Sequence, residues 1–268
     1  MAPASTRLRI ESQPWNWPRA AGRPHPGLHR LVPRNYLGMT TAALPHGLAK
    51  PATASIPLIL KISDSPHRPP AFLHGAHGRY TIMDGACAPM YVQVWLAPLG
   101  AYQVLGCPIR DLGGAVIELE AVFGADGRHV LEAVREEPTW RGRFALIDAF
   151  LLRAAERGPR PAPEVAAAWQ LLTVGGGMIP VRLVADEVGW SHKRLIDRFT
   201  EQVGLTPKKV ARLARFYRLL ARVRAGRLPA TWSQAAVECG YADQPHMIRE
   251  FRVFTGTTPA EFLSGTSA

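Results

Sequence analysis

Ala185-Asp186-Glu187-Val188-Gly189-Trp190 can be laid over Ala236-Val237-Glu238-Cys239-Gly240-Tyr241. After one inserted residue, Ala242, the match resumes with Ser191 opposite Asp243. Leu195, Ile196 and Phe199 then face Met247, Ile248 and Phe251, and Gly204, Thr206 and Pro207 face Gly256, Thr258 and Pro259. In each copy a short apolar helix stops at a glycine, where a left-handed cap needs no Cβ. An aromatic residue follows, then a side chain able to cap the next helix, Ser191 or Asp243. That second helix buries residues at i and i+4, Leu195 with Phe199 and Met247 with Phe251. Helix, glycine-containing turn, helix is the helix-turn-helix arrangement. The alternative, two ordinary hairpins of an all-α domain, is weakened by the duplication.

The segment between the copies adds to this reading. Thr206-Pro207 is a cap followed by a proline at the first helical position, and Gly226 is a natural stop. Between them lie Lys208, Lys209, Arg212, Arg215, Arg218, Arg222 and Arg224, with no acidic residue. Lys208, Arg212, Arg215, Arg218 and Arg222 fall within a stripe of about 120°, with Val210, Leu213, Phe216, Tyr217 and Leu220 opposite. A helix over 207–225 would be roughly 28 Å long. Successive major-groove turns on one face of B-DNA lie ~34 Å apart, so one chain could place both second helices in adjacent major grooves.

Working outward, the 268 residues carry a formal charge of +11, unevenly placed. Residues 1–50 hold seven basic and one acidic residue, 51–165 eleven and twelve, and 166–268 fourteen and eight. A neutral middle between basic ends points to a division of labour, with a polyanion as partner of the basic domain. Three cysteines (Cys87, Cys107, Cys239) give no disulfide framework and no zinc spacing, so a reducing cytoplasm is expected, with the protein on the nucleoid. No apolar run approaches the ~18 residues that cross a bilayer, and no membrane partner is expected.

Residues 1–28, with Pro14, Trp15, Trp17, Pro18, Pro24 and Pro26, read as a flexible basic extension. From Leu31 to Gly106 short apolar runs alternate with turn residues: Ile56–Ile62, Tyr91–Leu96 and Tyr102–Leu105. In Tyr91–Leu96 the alternation suits a half-buried strand. Strands in series suggest a small barrel or sandwich. The period then changes: Val116, Leu119, Glu120 and Phe123 suggest a helix, and 143–157 is a clearer one. Gly158-Pro159-Arg160-Pro161-Ala162-Pro163 reads as a linker, a short helix covers 164–173, and Gly175-Gly176-Gly177 is a second break. The expected fold class is α+β: a β-rich, then helical, N-terminal domain over 29–160, a linker region over 161–178, and an all-α domain over 179–265.

Residues 177–263 resemble the DNA-binding domain of AraC-type transcription regulators. The resemblance rests on Val184-Ala185-Asp186-Glu187-Val188-Gly189-Trp190-Ser191, on Gly240-Tyr241-Ala242-Asp243-Gln244 with Arg249-Glu250-Phe251, and on Gly256-Thr257-Thr258-Pro259-Ala260-Glu261-Phe262. It implies two helix-turn-helix units on a long helix and an N-terminal, cupin-like small barrel that senses an effector or dimerises. The implied partners are double-stranded DNA, a small effector, RNA polymerase and a second copy of the chain. By the family's pattern, Lys193, Ile196 and Asp197 face bases from the first unit, and Gln244, Pro245, His246 and Arg249 from the second. Arg249 suits guanine and Gln244 adenine; the alternative for Arg249 is a phosphate. Asp197 can accept from cytosine N4 or pair with Lys193 or Arg194. Ser191, Arg194, Arg198, Lys208, Arg212 and Arg252 are assigned to phosphates. Trp190, Tyr241, Phe216, Phe254 and Phe262 are assigned to the core; Phe72 and Trp95 in the N-terminal half fill a core or, as the alternative, line a pocket.

No enzyme, cofactor or metal site is expected. His74-Gly75-Ala76-His77 has metal-like spacing but no suitably placed Glu, and Gly175-Gly176-Gly177 lacks the Lys-Ser/Thr of a phosphate loop. Two other functions stand as alternatives. One is DNA alkylation repair, with Cys87 or Cys107 as nucleophile, although neither sits in an activating motif. The other is nonspecific polyanion binding.

Overall fold

The computed structural model describes residues 9–10, 19–40, 48–66, 68–83, 88–227 and 231–266. Its N-terminal half contains β1 (Arg9–Ile10), β2 (Arg19–Gly22), β3 (Tyr36–Thr40), β4 (Leu48–Lys50), β5 (Ile56–Lys61), β6 (Ala71–His74), β7 (Thr81–Met83), β8 (Met90–Leu96) and β9 (Val116–Glu118). Six of these form one antiparallel sheet in the order β2-β3-β8-β5-β6-β9, while β1-β4-β7 form a smaller sheet. The larger sheet is covered on both faces, which accounts for the unbroken apolar run of β5. Leu58, Leu60, Leu73, Val92 and Val94 meet one core, and Met39, Ile59, Phe72 and Tyr91 another. In β8 the half-burial expected from its alternation is corrected: Tyr91, Val92, Gln93, Val94 and Leu96 are all buried. Only Trp95 among these inner positions is half-exposed, with Arg34 over its ring at 5.4 Å.

Four helices follow the sheet in this half: α1 (Pro98–Leu105), α2 (Leu119–Phe123), α3 (Ala125–Glu136) and α4 (Trp140–Arg157). The run Tyr102–Leu105, grouped with the strands from sequence, lies in α1. Pro98 starts that helix and a left-handed Gly106 stops it, and eight residues between two such signals favour a helix over an extended run. The helix expected from Val116 starts only at Leu119, because Val116–Glu118 pair with His74, Leu73 and Phe72 as β9. Helix α4 lies against the larger sheet through Phe144, Ile147, Phe150 and Leu151. Its Asp148 carboxylate accepts from the Tyr36 hydroxyl at 2.7 Å and from the His25 backbone at 2.8 Å.

Two further stretches differ from the sequence reading. Residues 19–28 are not part of a free extension: Arg19–Gly22 pairs along Tyr36–Met39, and a short 3-10 turn at Pro26–Leu28 buries Leu28. Pro14, Trp15, Trp17 and Pro18 lie outside the described residues. The helix expected over 164–173 is present as α5 (Pro163–Val174), but it does not belong to a linker: its Val165, Ala168 and Leu172 are fully buried in the C-terminal core. Proline spacing marked the chain break at 158–162 but gave no sign that the next helix packs with the domain after it.

The C-terminal half continues with α6 (Val181–Glu187), α7 (His192–Val203), α8 (Pro207–Arg224), α9 (Trp232–Glu238), α10 (Gln244–Thr255) and α11 (Pro259–Thr266). One apolar core joins α5 to α11 and takes in Ala52 and Ala76 from the N-terminal half. Gly177 lets the break after α5 press on α8. It holds φ +72°, and a Cβ there would lie 1.9 Å from the Ala211 carbonyl oxygen.

Replacing Gly177 by alanine should destabilise the protein by more than the ~1–2 kcal/mol that left-handed backbone costs a residue with a Cβ. Gly106→Ala, at φ +69° with nothing within 4 Å of the added atom, should cost only that backbone increment. Thermal unfolding of both variants checks this. Equal losses would show that the approach to α8 is not what fixes Gly177.

Candidate nucleic-acid interface

The two sequence copies make the same local bonds. Trp190 donates its N–H to the Ala185 carbonyl at 3.0 Å, and Tyr241 donates to Ala236 at 2.9 Å. Gly189 and Gly240 are left-handed at φ +70° and +81°. The Ser191 hydroxyl accepts from the Arg194 N–H, and the Asp243 carboxylate accepts from the His246 N–H at 2.6 Å. Gly204 and Gly256 close α7 and α10 at φ +81° and +82°. Leu195, Phe199, Met247 and Phe251 are each fully buried, so the opposite faces of α7 and α10 are the ones free to meet a ligand.

On α7, Lys193 and Asp197 are exposed and Ile196 is half-buried between them. Among the described residues no ion pair joins Asp197 to Lys193 or Arg194. Arg194 lies over the Trp190 ring at 4.6 Å, and Arg198 pairs with Glu201 at 2.8 Å. Trp190 is half-buried, whereas Phe216, Tyr241, Phe254 and Phe262 are core residues. On α10, Pro245, Arg249 and Arg252 are exposed and Gln244 is half-buried. His246 is tethered more closely. Its Nδ1 accepts from the Ala242 N–H at 3.4 Å, its Nε2 lies 3.4 Å from Glu250, and its ring meets Tyr241 edge-on.

The basic stripe on α8 is where sequence and structure part. Of its members Lys208 and Arg218 are exposed, while Arg212, Arg215 and Arg222 are half-buried. Arg212 donates Nε to the Glu250 carboxylate at 2.5 Å and lies over Phe254. Arg215 donates to the Gly177 carbonyl at 2.7 Å, Arg218 to the Met178 sulfur at 2.9 Å, and Arg222 pairs with Glu238. Helix α8 runs between the two units, so its cations meet their acidic and carbonyl groups. Sequence reasoning missed Glu250 because its neighbour Arg249 carried the chemical interest. A carboxylate four residues before the apolar Phe254, on the buried side of α10, was the available signal.

The N-terminal half touches the far ends of both second helices. A Cβ on Gly204, at the end of α7, would sit 2.7 Å from the Ile109 side chain. At the end of α10, Ala52 donates to the Phe254 carbonyl at 2.9 Å and Tyr80 to that of Val253 at 3.0 Å. The loops that carry Ala52 and Tyr80 are joined by paired Thr53–His77 backbone bonds. Between the halves lies a cavity of about 520 Å³, lined by Arg34, Thr53, Ser55, Trp169, Tyr217 and Arg218 among others. The Tyr217 hydroxyl donates to the Ala52 carbonyl at 2.8 Å.

His74 and His77 do stand together, with ring centroids 4.9 Å apart, and both donate Nδ1 to the Gly75 carbonyl. Among the described residues no third ligand completes a metal-binding group. Burial holds both imidazoles below their ordinary range, His77 down to about 4. Cys107 is half-buried, and burial with the nearby Asp111 pushes its thiol up, away from the reactive thiolate. Cys239 is buried, and Cys87 lies outside the described residues. No helix among the described residues is long and apolar enough to cross a membrane.

A family model described as a helix-turn-helix domain matches residues 184–265. Among solved structures, the chain is similar to apo ToxT from Vibrio cholerae strain SCE256. The identity is 10%, the match covers 86% of this chain and 97% of that one, and the TM-score is 0.44. It is also similar to wild-type ToxT of that strain bound to an unsaturated fatty acid, at 13% identity, covering 85% and 94%, with TM-score 0.43. No curated protein matches the chain.

His77 generates a pH dependence. Its imidazole is neutral and buried in the fold, while an unfolded chain binds the proton near pH 6.5. Stability should therefore be complete above pH 6.5 and decline as the pH falls from 6.5 toward 4, by up to about 3 kcal/mol. Denaturant unfolding at several pH values should show this slope, reduced in His77→Asn. An unchanged slope in that variant would assign the acid sensitivity elsewhere.

Proposed function

We infer, from the AraC-type helix-turn-helix domain that residues 184–265 form, that this chain is a DNA-binding transcription regulator which reads two half-sites. The repeat carries this inference. Both units turn at a left-handed glycine with the same backbone bond, bury equivalent residues and leave one face of the second helix open, and α8 spans about 27 Å between them. That separation suits successive major grooves on one face of B-DNA. Base contacts are assigned to Lys193, Ile196 and Asp197 on α7 and to Gln244, Pro245 and Arg249 on α10, with His246 beside them in the fixed orientation its contacts impose. Phosphate contacts are assigned to Ser191, Arg194, Arg198, Lys208 and Arg252. Arg212 is assigned to the protein, because a guanidinium held by a buried carboxylate has little charge left for a phosphate.

Selection of random duplex DNA by the full-length protein, at a stated near-physiological salt, should enrich two short motifs about one helical turn apart. An enriched pool without a motif would reduce the reading to salt-dependent polyanion binding. Within the motif, Arg249→Ala should cost about 1–3 kcal/mol at one position of the second half-site and relax preference there. Arg252→Ala should instead weaken all sequences alike and lower the salt slope by about 1.

The cavity between the halves is the site proposed for a small effector. Trp169, Val210, Leu213 and Tyr217 give it apolar walls, and Arg34 and Arg218 give it cationic ones from opposite halves. An amphipathic anion, such as an aliphatic carboxylate, fits that lining. Decanoate should raise the thermal unfolding midpoint of the protein, and Arg34→Ala and Arg218→Ala should each diminish the rise. Equal rises in all three proteins would place the anion elsewhere.

A further inference from the structure

The two units are attached to α8 in different ways. The first is braced by α5, whose buried Val165, Ala168 and Leu172 join α6, α7 and α8 in one core. The second is tied to α8 through α9, where Glu238 pairs with Arg222, and through the crossing of α10, where Phe216 meets Phe251 and Phe254 at centroid distances of 5.4 and 5.2 Å. Aromatic contacts of this kind are attractive over a range of angles and fix a crossing only loosely. At the same crossing lies Glu250, 6% exposed, with one carboxylate oxygen 2.5 Å from Arg212 Nε and 3.4 Å from His246 Nε2. Its other oxygen is buried without a hydrogen-bond partner among the described residues.

A buried carboxylate costs desolvation that an apolar side chain of similar size would not, so stability alone does not account for it. What the contact adds is direction, since a charge-assisted hydrogen bond from one Nε–H to one carboxylate oxygen weakens as its distance and angle depart from the preferred ones. Helix α10 is also held at its last turn, by the bonds from Ala52 and Tyr80. Two fixed points along α10 define the axis of that helix. With the Arg212–Glu250 contact removed, the last turn becomes a pivot and the beginning of α10, which carries Gln244 and Arg249, is free to swing.

We propose that Glu250 and Arg212 are positioning residues that fix the angle between α8 and α10 and thereby the half-site spacing the protein accepts. The proposal rests on the two-half-site reading above. Neither residue needs to touch DNA for this. Loss of the pair leaves each unit able to read its own half-site but lets the two engage at spacings the intact protein rejects.

The test uses the full chain and duplexes carrying the selected operator at its own spacing, with one to three base pairs inserted, and with the first half-site alone. For the unsubstituted protein, each insertion should reduce affinity on the order of tenfold, because geometry then forbids simultaneous engagement. Glu250→Gln and Arg212→Met should flatten this dependence to within about threefold across the series, with first-half-site affinity unchanged. The double variant should be no flatter than either single one, as two members of one contact require. Arg212→Lys retains the charge without the Nε–H donor at its fixed place and should fall between, which keeps the test open should a neutral variant unfold; thermal midpoints identify such a case. Variants that keep the original spacing profile, or that lose affinity evenly at every spacing, overturn the proposal. An unsubstituted protein indifferent to spacing sinks the two-half-site reading itself, and that result is obtained before any variant is compared.

Discussion

A helix that ends inside a protein must dispose of its last carbonyl groups, and in this chain both units depend on how that is done. At Gly189 and Gly240 the backbone turns left-handed, which only a residue without Cβ adopts cheaply. The turn brings the next N–H, of Trp190 or Tyr241, back onto the carbonyl of Ala185 or Ala236. The chain then leaves at a fixed angle, and Ser191 or Asp243 caps the second helix one residue or two later. Those two angles, set by a handful of backbone bonds, decide which faces of α7 and α10 are buried. The base contacts proposed above come from what remains on the other side.

The connector helix shows how a charge pattern is divided between ligand and protein. A cation on a helix surface lowers its energy with any nearby anion, and α8 has acidic neighbours from both directions in Glu250 and Glu238. Those contacts lie partly out of water, where attraction is less screened than on an open face. The consequence is a helix whose Arg212, Arg215, Arg218 and Arg222 bind the protein, while Lys208, Lys209 and Arg224 stand exposed. A stripe of arginines in sequence therefore measures the capacity for anion contacts without naming the anion.

The repeat was legible because each of its signals is local. Capping residues, glycine stops and i, i+4 apolar pairs act within one turn of chain, so Leu195 with Phe199 and Met247 with Phe251 were placed from spacing alone. The larger sheet was legible only in part. Val92 and Val94 announce one buried face of β8, but burial of Tyr91 and Gln93 depends on what packs against the other face, which no local pattern encodes. Residues 19–22 illustrate the same limit, because a short edge strand rich in Ala and Gly has no periodicity and is defined by its partner, β3. In the interface, exposure of Lys193 and Arg249 follows from helix phase, whereas the engagement of Arg212 needs a residue far along the chain. Long-range pairing is where the reading of residues ends and the structure begins.

The two halves are not simply tethered. Loop residues Ala52 and Tyr80 bond the last turn of α10, Ile109 lies under the last turn of α7, and Tyr217 on α8 bonds the same Ala52. The N-terminal half thus holds the ends of both second helices that point away from the proposed DNA, and the cavity borders the loop through Thr53 and Ser55. A ligand can shift such an arrangement only by as much as it binds one disposition of the halves better than another. A cavity wall contributed by both halves supplies that difference, because separating them removes part of the wall. A ligand enclosed within either half alone would need a further element to carry its effect to α7 and α10. Here the loop that borders the cavity is itself the element bonded to α10.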